Sequence, residues 1–149
     1  MATDQNKNLV KRFFDEMCNQ RKLDIADELF AASHSYHDPQ TPTGPGPDGM
    51  KQVISAYQTG FPDAHWKVLD TIISGDQIIT RWEGSGTQKK ELIGIPATGR
   101  SVRVQGTWIH RFANNKIVES WNIWDTLGML QQLGVVPAME ELSEAVRNN

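Results

Sequence analysis

Residues 102–134 read VRVQGTWIHRFANNKIVESWNIWDTLGMLQQLG, and the rest of the chain is interpreted around this stretch. Two runs rich in β-branched and aromatic residues flank Asn114-Asn115, a pair that tolerates the positive φ of a two-residue hairpin turn. The sequence therefore predicts a β-hairpin, followed after Asp125 by a short helix that ends near Gly134.

A two-residue turn determines which side chains face each other across this hairpin. It pairs His110 with Glu119, Trp108 with Trp121 and Val104 with Asp125, and opposed residues share a face. The more apolar face, which should point into the fold, carries Val102, Val104, Trp108, His110, Phe112, Ile117, Glu119, Trp121, Ile123 and Asp125. A three-residue turn would shift the register by one and change these partners.

Polar groups on that inward face need hydrogen bonds or a cavity that holds water or ligand. Asp125 has two interpretations: it caps the helix that follows, or it is a carboxylate in a pocket. His110 and Glu119 have two as well, because they form a satisfied polar pair near the turn or take part in chemistry.

The run NNKIVESWNIWDTLGMLQQLG resembles the C-terminal signature of the SnoaL-like polyketide cyclases, in the NTF2-like superfamily. The matching residues are Asn115, Lys116, Ile117, Val118, Glu119, Trp121, Asp125, Gln132, Leu133 and Gly134. The similarity extends over nearly the whole chain and includes an early helix pair and an HDP tripeptide at residues 37–39.

This resemblance implies a cone-shaped α+β barrel, in which N-terminal helices pack against a strongly curved, mostly antiparallel sheet that encloses a pocket. In the characterised cyclases the aspartate that matches Asp125 is the general acid/base. By the same resemblance the substrate is a small carbonyl or polyketide-like compound, and the reaction is an intramolecular aldol cyclisation.

A second carboxylate, Asp38, competes for the catalytic role. The segment His37-Asp38-Pro39 resembles the site of the general base in the ketosteroid isomerases, although an Asp before Pro also caps its own turn. The second acid of that isomerase falls at or near Trp108, which has no carboxyl group, so steroid isomerase activity is disfavoured. The catalytic candidates are therefore Asp125, Asp38 and His110.

Substrate contacts are expected from aromatic and loop residues. A tryptophan on the hairpin could line a cavity for a flat ring, and an indole N–H could donate to a developing oxyanion. The Gly-Ile-Pro segment at residues 94–96 matches a stretch near the pocket mouth of the cyclases. The predicted substrate-binding residues are His37, Trp108, Trp121, Ile95 and Tyr57.

The order of elements places helices before the sheet. Apolar spacing predicts a helix that ends near Asn19, a second over residues 24–31 and a third over residues 48–59. A strand is predicted at residues 35–38, and two more flank Gly75-Asp76 in a hairpin. The last helix is predicted over residues 138–146.

Composition limits the classes of function. The 149 residues fit one domain, and fifteen basic against eighteen acidic residues give a net charge of −3 without the basic block of a nucleic-acid binder. No metal or cofactor motif is present, and the single cysteine, Cys18, is expected to be a buried small hydrophobe. We expect a cytoplasmic protein without a membrane span, and a homodimer or homotetramer because some strands are apolar on both faces.

Two alternatives to a cyclase-type enzyme stay open. The first is a non-catalytic module that binds a small apolar ligand, because a fold does not determine activity. The second is a hydratase or isomerase that uses Asp38 together with His37.

Overall fold

A computed structural model describes residues 2–148 of the chain. The first helix, α1 (Ala2–Arg12), continues as a π-helical segment (Phe13–Asn19), and a 3₁₀ turn (Leu23–Ile25) leads into α2 (Ala26–Leu29). The elements that follow are β1 (Phe30–His37), α3 (Gly46–Gly60), β2 (His65–Ser74), β3 (Gln77–Thr87), β4 (Ser101–Ala113), β5 (Lys116–Trp124), α4 (Thr126–Gln132) and α5 (Met139–Arg147).

The helices bury their apolar faces against the sheet. The π-helical segment buries Phe13, Phe14, Met17 and Cys18, and burial raises the pKa of the Cys18 thiol, as expected of a small hydrophobe. Helix α3 begins after Pro45 and buries Met50, Val53 and Ile54. None of the described helices is both long and apolar enough to cross a membrane.

Within residues 2–148 the strands form one five-stranded sheet in the order β1-β5-β4-β3-β2. Strand β1 runs parallel to β5, and the other three pairings are antiparallel. Strands β1 and β2 are the two edges, so the sheet is not closed into a barrel. The predicted α+β, NTF2-like arrangement of N-terminal helices against a mostly antiparallel sheet is confirmed.

The hairpin of β4 and β5 follows the predicted register only near its turn. Asn114 and Asn115 have φ values of 51° and 62°, and Ala113 pairs with Lys116 as predicted. Phe112 pairs with Ile117, but Arg111 then pairs with Glu119, which leaves Val118 as an extra residue in a β-bulge.

This bulge makes the predicted facing pairs beyond it wrong. His110 pairs with Ser120, Ile109 with Trp121, and Trp108 with Asn122. Because side chains alternate along a strand, the shift by one residue moves Glu119 and Trp121 to the outer face and brings Ser120 and Asn122 to the inner face. Thus β5 contributes an amide and a hydroxyl, rather than a carboxylate, to the interior.

The first edge strand is longer than predicted. The sequence predicts a helix to residue 31 and a strand from residue 35, whereas β1 begins at Phe30. Phe30 pairs with Ile117 and His37 with Trp121, and the register is irregular between Phe30 and Ser35. Pairing with β5 overrides the local helical pattern in this segment, and it places Tyr36 on the same inner face as His34.

Candidate functional site

A pocket lies between α3 and the inner face of the sheet, toward the end of the sheet that leads into α4. Its volume is about 60 Å³, and aromatic and aliphatic side chains form most of its walls. The aromatic residues and the amide that line it include Tyr36, Tyr57, Trp66, Trp82, Trp108, Asn122 and Trp124. A mostly apolar lining with a few polar groups is typical of a site for a small molecule.

Glycines on two neighbouring strands make room for the tryptophans of this pocket. A Cβ atom at Gly106 would stand 2.6 Å from Trp82 Cζ2, and one at Gly84 would stand 2.9 Å from Trp82 Cζ3. The Trp82 ring therefore lies across backbone that has no side chain, and Trp124 approaches Gly106 as closely. The ring centroids of Trp82 and Trp124 are 6.4 Å apart.

The carboxylate linked to this pocket belongs to Asp38. Asp38 is only 4% exposed, and its Oδ2 accepts hydrogen bonds from Tyr36 Oη and Thr41 Oγ1, each at 2.8 Å. Its Oδ1 accepts a third from the Gln40 backbone N–H at 3.0 Å. Asp38 itself does not line the pocket, but Tyr36 does, so the Tyr36 phenol joins the carboxylate to the cavity.

The surroundings of both pocket tyrosines favour the neutral phenol over the phenolate. Burial raises the pKa of Tyr36 well above its usual range, and the neighbouring Asp38 charge raises it further. Burial and the charge of Asp38 raise the pKa of Tyr57 in the same way. Asn122 Nδ2 donates to Tyr36 Oη at 3.3 Å, so the phenol oxygen accepts from Asn122 while it donates to Asp38.

Asp125 lies at the N-terminus of α4 and is exposed to solvent. Its Oδ1 accepts a hydrogen bond from the Gly128 backbone N–H at 2.9 Å, so the side chain caps the helix. The prediction that Asp125 faces the pocket is wrong, since its carboxylate is not among the described groups that line the cavity. Its predicted catalytic role stays a prediction.

His37 and Trp121 lie together on the outer face of the sheet. The His37 ring stacks on Trp121 with centroids 5.2 Å apart, and His37 Nε2 is 2.8 Å from Glu119 Oε2. Arg111 Nη2 donates to the other oxygen of Glu119 at 3.0 Å. The hydrogen bond from His37 and the contact with Arg111 lower the pKa of Glu119. The predicted placement of His37 and Trp121 in the pocket is therefore wrong.

His110 is fully buried on the inner face, as predicted, but its predicted partner Glu119 is absent from that face. Its ring stacks on Trp108 with centroids 5.2 Å apart, and neither ring nitrogen has a partner among residues 2–148. Burial lowers the pKa of His110 to about 3, so the ring is neutral. His110 lies behind Trp108 and does not reach the described pocket.

A second buried histidine lies beside it. His34 is 1% exposed, and its Nε2 is 2.8 Å from Ser120 Oγ. Burial lowers the pKa of His34 to about 4. The two rings are thus neutral groups of the core at the end of the cone away from Trp82 and Trp124.

The other predicted substrate contacts are Tyr57, Trp108 and Ile95. Tyr57 of α3 and Trp108 line the pocket, and their role in substrate binding stays a prediction. Ile95 instead belongs to a turn in which Leu92 and Ile95 exchange backbone hydrogen bonds of 3.0 and 2.8 Å. Gln88 holds this loop by donating to the Ile95 carbonyl, and Ile95 is not among the described lining residues.

The sequence interpretation did not select four of the residues that line the pocket, namely Tyr36, Asn122, Trp82 and Trp124. Tyr36 could have been found, because it lies two residues before Asp38 in an extended segment and so shares its face. Asn122 could not, because the bulge at Val118 is invisible in the apolar pattern. No cluster of three His, Cys, Asp or Glu side chains that could hold a metal occurs among the described residues.

Comparison with known proteins gives one consistent result. The family model of the SnoaL-like polyketide cyclases matches residues 8–133. IdmH from Streptomyces antibioticus, for which polyketide cyclase activity has been proposed, is 30% identical, with 87% of this chain and 99% of IdmH covered and a TM-score of 0.73. No curated protein matches the chain.

Two other solved structures share the fold at lower identity. TsrD from Streptomyces laurentii has a TM-score of 0.81 at 24% identity, with 89% of this chain and 97% of TsrD covered. A proposed SnoaL-like polyketide cyclase from Jannaschia sp. CCS1 has a TM-score of 0.79 at 22% identity, with 90% of this chain and 94% of that protein covered.

Proposed function

The chain belongs to the SnoaL-like polyketide cyclase family, and from this premise we propose that it is an enzyme acting on a small carbonyl compound in the pocket of Trp82 and Tyr36. The reaction that we propose is enolisation followed by an intramolecular aldol closure. The substrate is an apolar or aromatic molecule with a proton next to a carbonyl group, because the walls are apolar and the polar groups few.

The observation that supports this proposal is the hydrogen bond between a buried carboxylate and a phenol of the pocket wall. Asp38 and Tyr36 are 2.8 Å apart, and Tyr36 stands between Asp38 and the cavity. General acid–base catalysis needs a proton-accepting group within hydrogen-bond reach of the substrate or one group away from it. Asp38 meets this condition through Tyr36.

The proposed proton path uses the two side chains as a relay. As the substrate carbon loses its proton to the Tyr36 oxygen, the phenolic proton moves to Asp38, so the phenol stays neutral. The enolate carbon then attacks the second carbonyl of the same molecule and forms the carbon–carbon bond. The new alkoxide takes a proton from Tyr36, and Asp38 returns its proton to the phenol. No proton is gained or lost overall.

The raised pKa of Tyr36 fits a relay better than a free base. A phenol whose pKa lies well above its usual range does not persist as phenolate at neutral pH, so a proton can pass through it only when a second group accepts at once. Asp38 is that group. Asn122, which donates to the same oxygen, orients the phenol toward Asp38.

The test is deuterium exchange into a panel of β-ketoesters and aromatic ketones, followed by NMR. We expect the wild-type protein to exchange the proton next to the carbonyl, and we expect Tyr36→Phe and Asp38→Asn to slow the exchange by at least about 100-fold. The matched control is Asp70→Asn, because Asp70 is an exposed carboxylate on the outer face whose one hydrogen-bond donor within residues 2–148 is the backbone N–H of Thr71.

Asp125→Asn tests which of the two candidate carboxylates, Asp38 or Asp125, is the base. Exchange that is lost in Asp125→Asn and kept in Asp38→Asn would contradict the relay and return the base to Asp125. Exchange kept in Tyr36→Phe but lost in Asp38→Asn would retain Asp38 as the base and remove Tyr36 from the path.

A binding module without catalysis is the second candidate, and one observation favours it. Three hydrogen bonds already occupy the Asp38 carboxylate within its own turn, which is also the pattern of a purely structural aspartate. This candidate predicts binding of an aromatic ketone with no exchange in any compound of the panel. The hydratase or isomerase that pairs Asp38 with His37 has no such support, because His37 lies on the outer face.

We also propose that the chain forms a homodimer or homotetramer through the outer face of the sheet. Ile72, Ile79, Ile109 and Trp121 are paired across four neighbouring strands and form an apolar row on that face. Ile72 and Ile123 are exposed there. Apolar surface of this kind is typical of a contact between subunits.

A further inference from the structure

The hydrogen-bond inventory of the interior points to a ligand with a defined pattern of oxygen atoms. Six side-chain atoms among the described residues are buried without a partner: Thr80 Oγ1, Trp82 Nε1, His110 Nδ1, His110 Nε2, Asn122 Oδ1 and Trp124 Nε1. Buried polar atoms nearly always have partners, so each exception calls for a reason. Three of these six atoms belong to residues that line the pocket.

The three pocket atoms differ in what they can do. Trp82 Nε1 and Trp124 Nε1 are indole N–H groups, which can only donate. Asn122 Oδ1 is an amide oxygen, which can only accept. The nitrogen of the same amide, Nδ2, donates to Tyr36 and so is not free for a ligand. Trp82 is 4% exposed and Asn122 is 7% exposed, so bulk water does not serve as the partner of either side chain.

The backbone holds both indoles where they are. Gly106 lies against the Trp82 ring, because a Cβ atom at Gly106 would be 2.6 Å from Trp82 Cζ2 and 2.8 Å from Trp82 Cε2, and it also lies against the Cβ atom of Trp124. Gly106 pairs with Trp82 on one side and with Trp124 on the other, so the two tryptophans flank the same glycine across three strands. The two tryptophans are therefore positioned around the same glycine, with ring centroids 6.4 Å apart.

We propose that Trp82 and Trp124 donate hydrogen bonds to a carbonyl or enolate oxygen of the bound molecule, and that Asn122 Oδ1 accepts from a hydroxyl group close to that oxygen. The ligand class is a ring compound that carries a ketone together with an enol or phenol hydroxyl. This inference rests on the proposed function for the identity of the oxygen as the one that becomes negative. The binding pattern itself is tested without turnover.

These donors would stabilise the negative charge that the proposed reaction creates on the substrate. Removal of the proton by Tyr36 and Asp38 leaves negative charge on the carbonyl oxygen, and donors aimed at developing charge stabilise it without reorganisation. Trp82 and Trp124 would be those donors. A hydroxyl that donates to Asn122 would fix which carbon next to a carbonyl group loses its proton, because it orients the ring relative to Tyr36.

The experiment compares ligands of nearly equal shape that differ in oxygen atoms. Ethylbenzene has none, acetophenone has the carbonyl acceptor, and 3′-hydroxyacetophenone adds a donor. We expect acetophenone to bind the wild-type protein at least about fivefold more tightly than ethylbenzene, and Trp82→Phe and Trp124→Phe each to remove most of this ratio. Any Trp→Phe change also removes packing area, but this loss weakens both ligands alike and therefore cancels in the ratio of their affinities.

Trp121→Phe is the control. Trp121 lies on the outer face of the sheet, where it stacks on His37, and it is not among the described lining residues, so the ketone preference should stay within about twofold of the wild type. The second ratio compares the affinity for 3′-hydroxyacetophenone with that for acetophenone. Asn122→Leu should remove the preference for the hydroxyl compound, whereas Asn122→Asp keeps an acceptor and should retain this preference. Retention of the wild-type ketone ratio in both Trp82→Phe and Trp124→Phe overturns the assignment of the donors.

A second measurement does not depend on how the variants fold. The indole N–H signals of the wild-type protein are followed by ¹H–¹⁵N NMR during titration with acetophenone and with ethylbenzene. We expect two indole protons, those of Trp82 and Trp124, to move downfield with the ketone only. Equal shifts with both ligands, or none with the ketone, overturn the inference. A loss of deuterium exchange in Asp38→Asn would still stand in that case, so the two proposals fail separately.

Discussion

The Asp125 carboxylate accepts from Gly128 N–H and so stabilises the first turn of α4. We expect Asp125→Ala to lower the free energy of unfolding by about 1 kcal/mol, because the helix loses its N-cap. Asp125→Asn should be nearly neutral, since asparagine caps as well as aspartate. Urea unfolding of the three proteins checks this expectation, and equal loss in both variants would show that the charge rather than the cap matters.

Gly128 offers a matched test of the same contact. A Cβ atom at Gly128 would overlap the Asp125 carboxylate, with Asp125 Cγ only 2.6 Å away. Alanine normally stabilises a helix relative to glycine, but here it displaces the cap. Gly128→Ala should therefore destabilise the wild type and stabilise the Asp125→Ala protein, and a double-mutant cycle measures this coupling.

His34 and His110 make stability depend on pH. Burial lowers their pKa values to about 4 and about 3, whereas both take up a proton near pH 6.5 in the unfolded chain. Below pH 6.5 the unfolded chain binds more protons than the folded one, so the free energy of unfolding falls as the pH falls toward 4. At pH 5 the loss is about 2 kcal/mol for each histidine.

Urea unfolding at pH 7.5 and pH 5 checks this expectation, with His110→Met as the comparison. Methionine is flexible and of similar size, so it fills the site without a titrating group. The decrease between the two pH values should be about 2 kcal/mol smaller in His110→Met than in the wild type. An equal decrease in both proteins would contradict the role given to His110.

At the scale of the element, the bulge at Val118 decides which residues of β5 reach the pocket. Deleting Val118 leaves every pair from Arg111–Glu119 onward intact, because the extra residue is the one removed. Deleting Ser120 instead brings Glu119 to the inner face beside His110. We expect the Val118 deletion to fold with modest loss, and the Ser120 deletion to cost about 3 to 5 kcal/mol more through a buried unpaired charge.

Circular dichroism and urea unfolding of the two deletions distinguish these outcomes. Similar stability of both would mean that β5 does not use the bulge to set its faces. The sheet order and the pairing of β1 with β5 are expected to persist in the Val118 deletion, since Ser35 and His37 pair with residues beyond the bulge.

The same element shows how far the sequence alone could go. The turn at Asn114-Asn115, the two strands and the helix after Asp125 follow from local preferences, and they are present as predicted. The face of each residue in β5 does not follow, because a bulge depends on pairing with β4 and β1 rather than on any residue type. That single extra residue moved Trp121 and Glu119 to the outer face and brought Asn122 and Trp124 to the inner face, where they line the pocket.

The glycines of β3 and β4 carry a further prediction at this scale. Gly106→Ala should displace Trp82 and Trp124 and lower the free energy of unfolding by about 1 to 3 kcal/mol, the usual range for overpacking. It should also weaken acetophenone binding. Gly44→Ala is the control, because a Cβ atom there has open space. Unfolding in urea and ligand titration measure the two effects, and a neutral Gly106→Ala would show that the indoles are free to move.

At the scale of the whole molecule, the two faces of the sheet differ in what covers them. The inner face packs on α1, α3 and the π-helical segment, whereas no described element covers the apolar row of the outer face. Of that face, Ile72 is 55% exposed and Ile123 is 69% exposed. Such exposure costs free energy in water and is removed when a second copy covers it.

We therefore expect the wild-type protein to be a dimer or tetramer by light scattering between about 1 and 100 µM, within the affinity range of stable assemblies. The double variant Ile72→Lys and Ile123→Lys should be a folded monomer, because two added charges on each copy would meet across an apolar contact. Ile93→Lys is the control, since Ile93 is 58% exposed but lies in the loop between β3 and β4. A wild-type monomer at the highest concentration would contradict the proposed interface, and a double variant that stays assembled would place it elsewhere on the molecule.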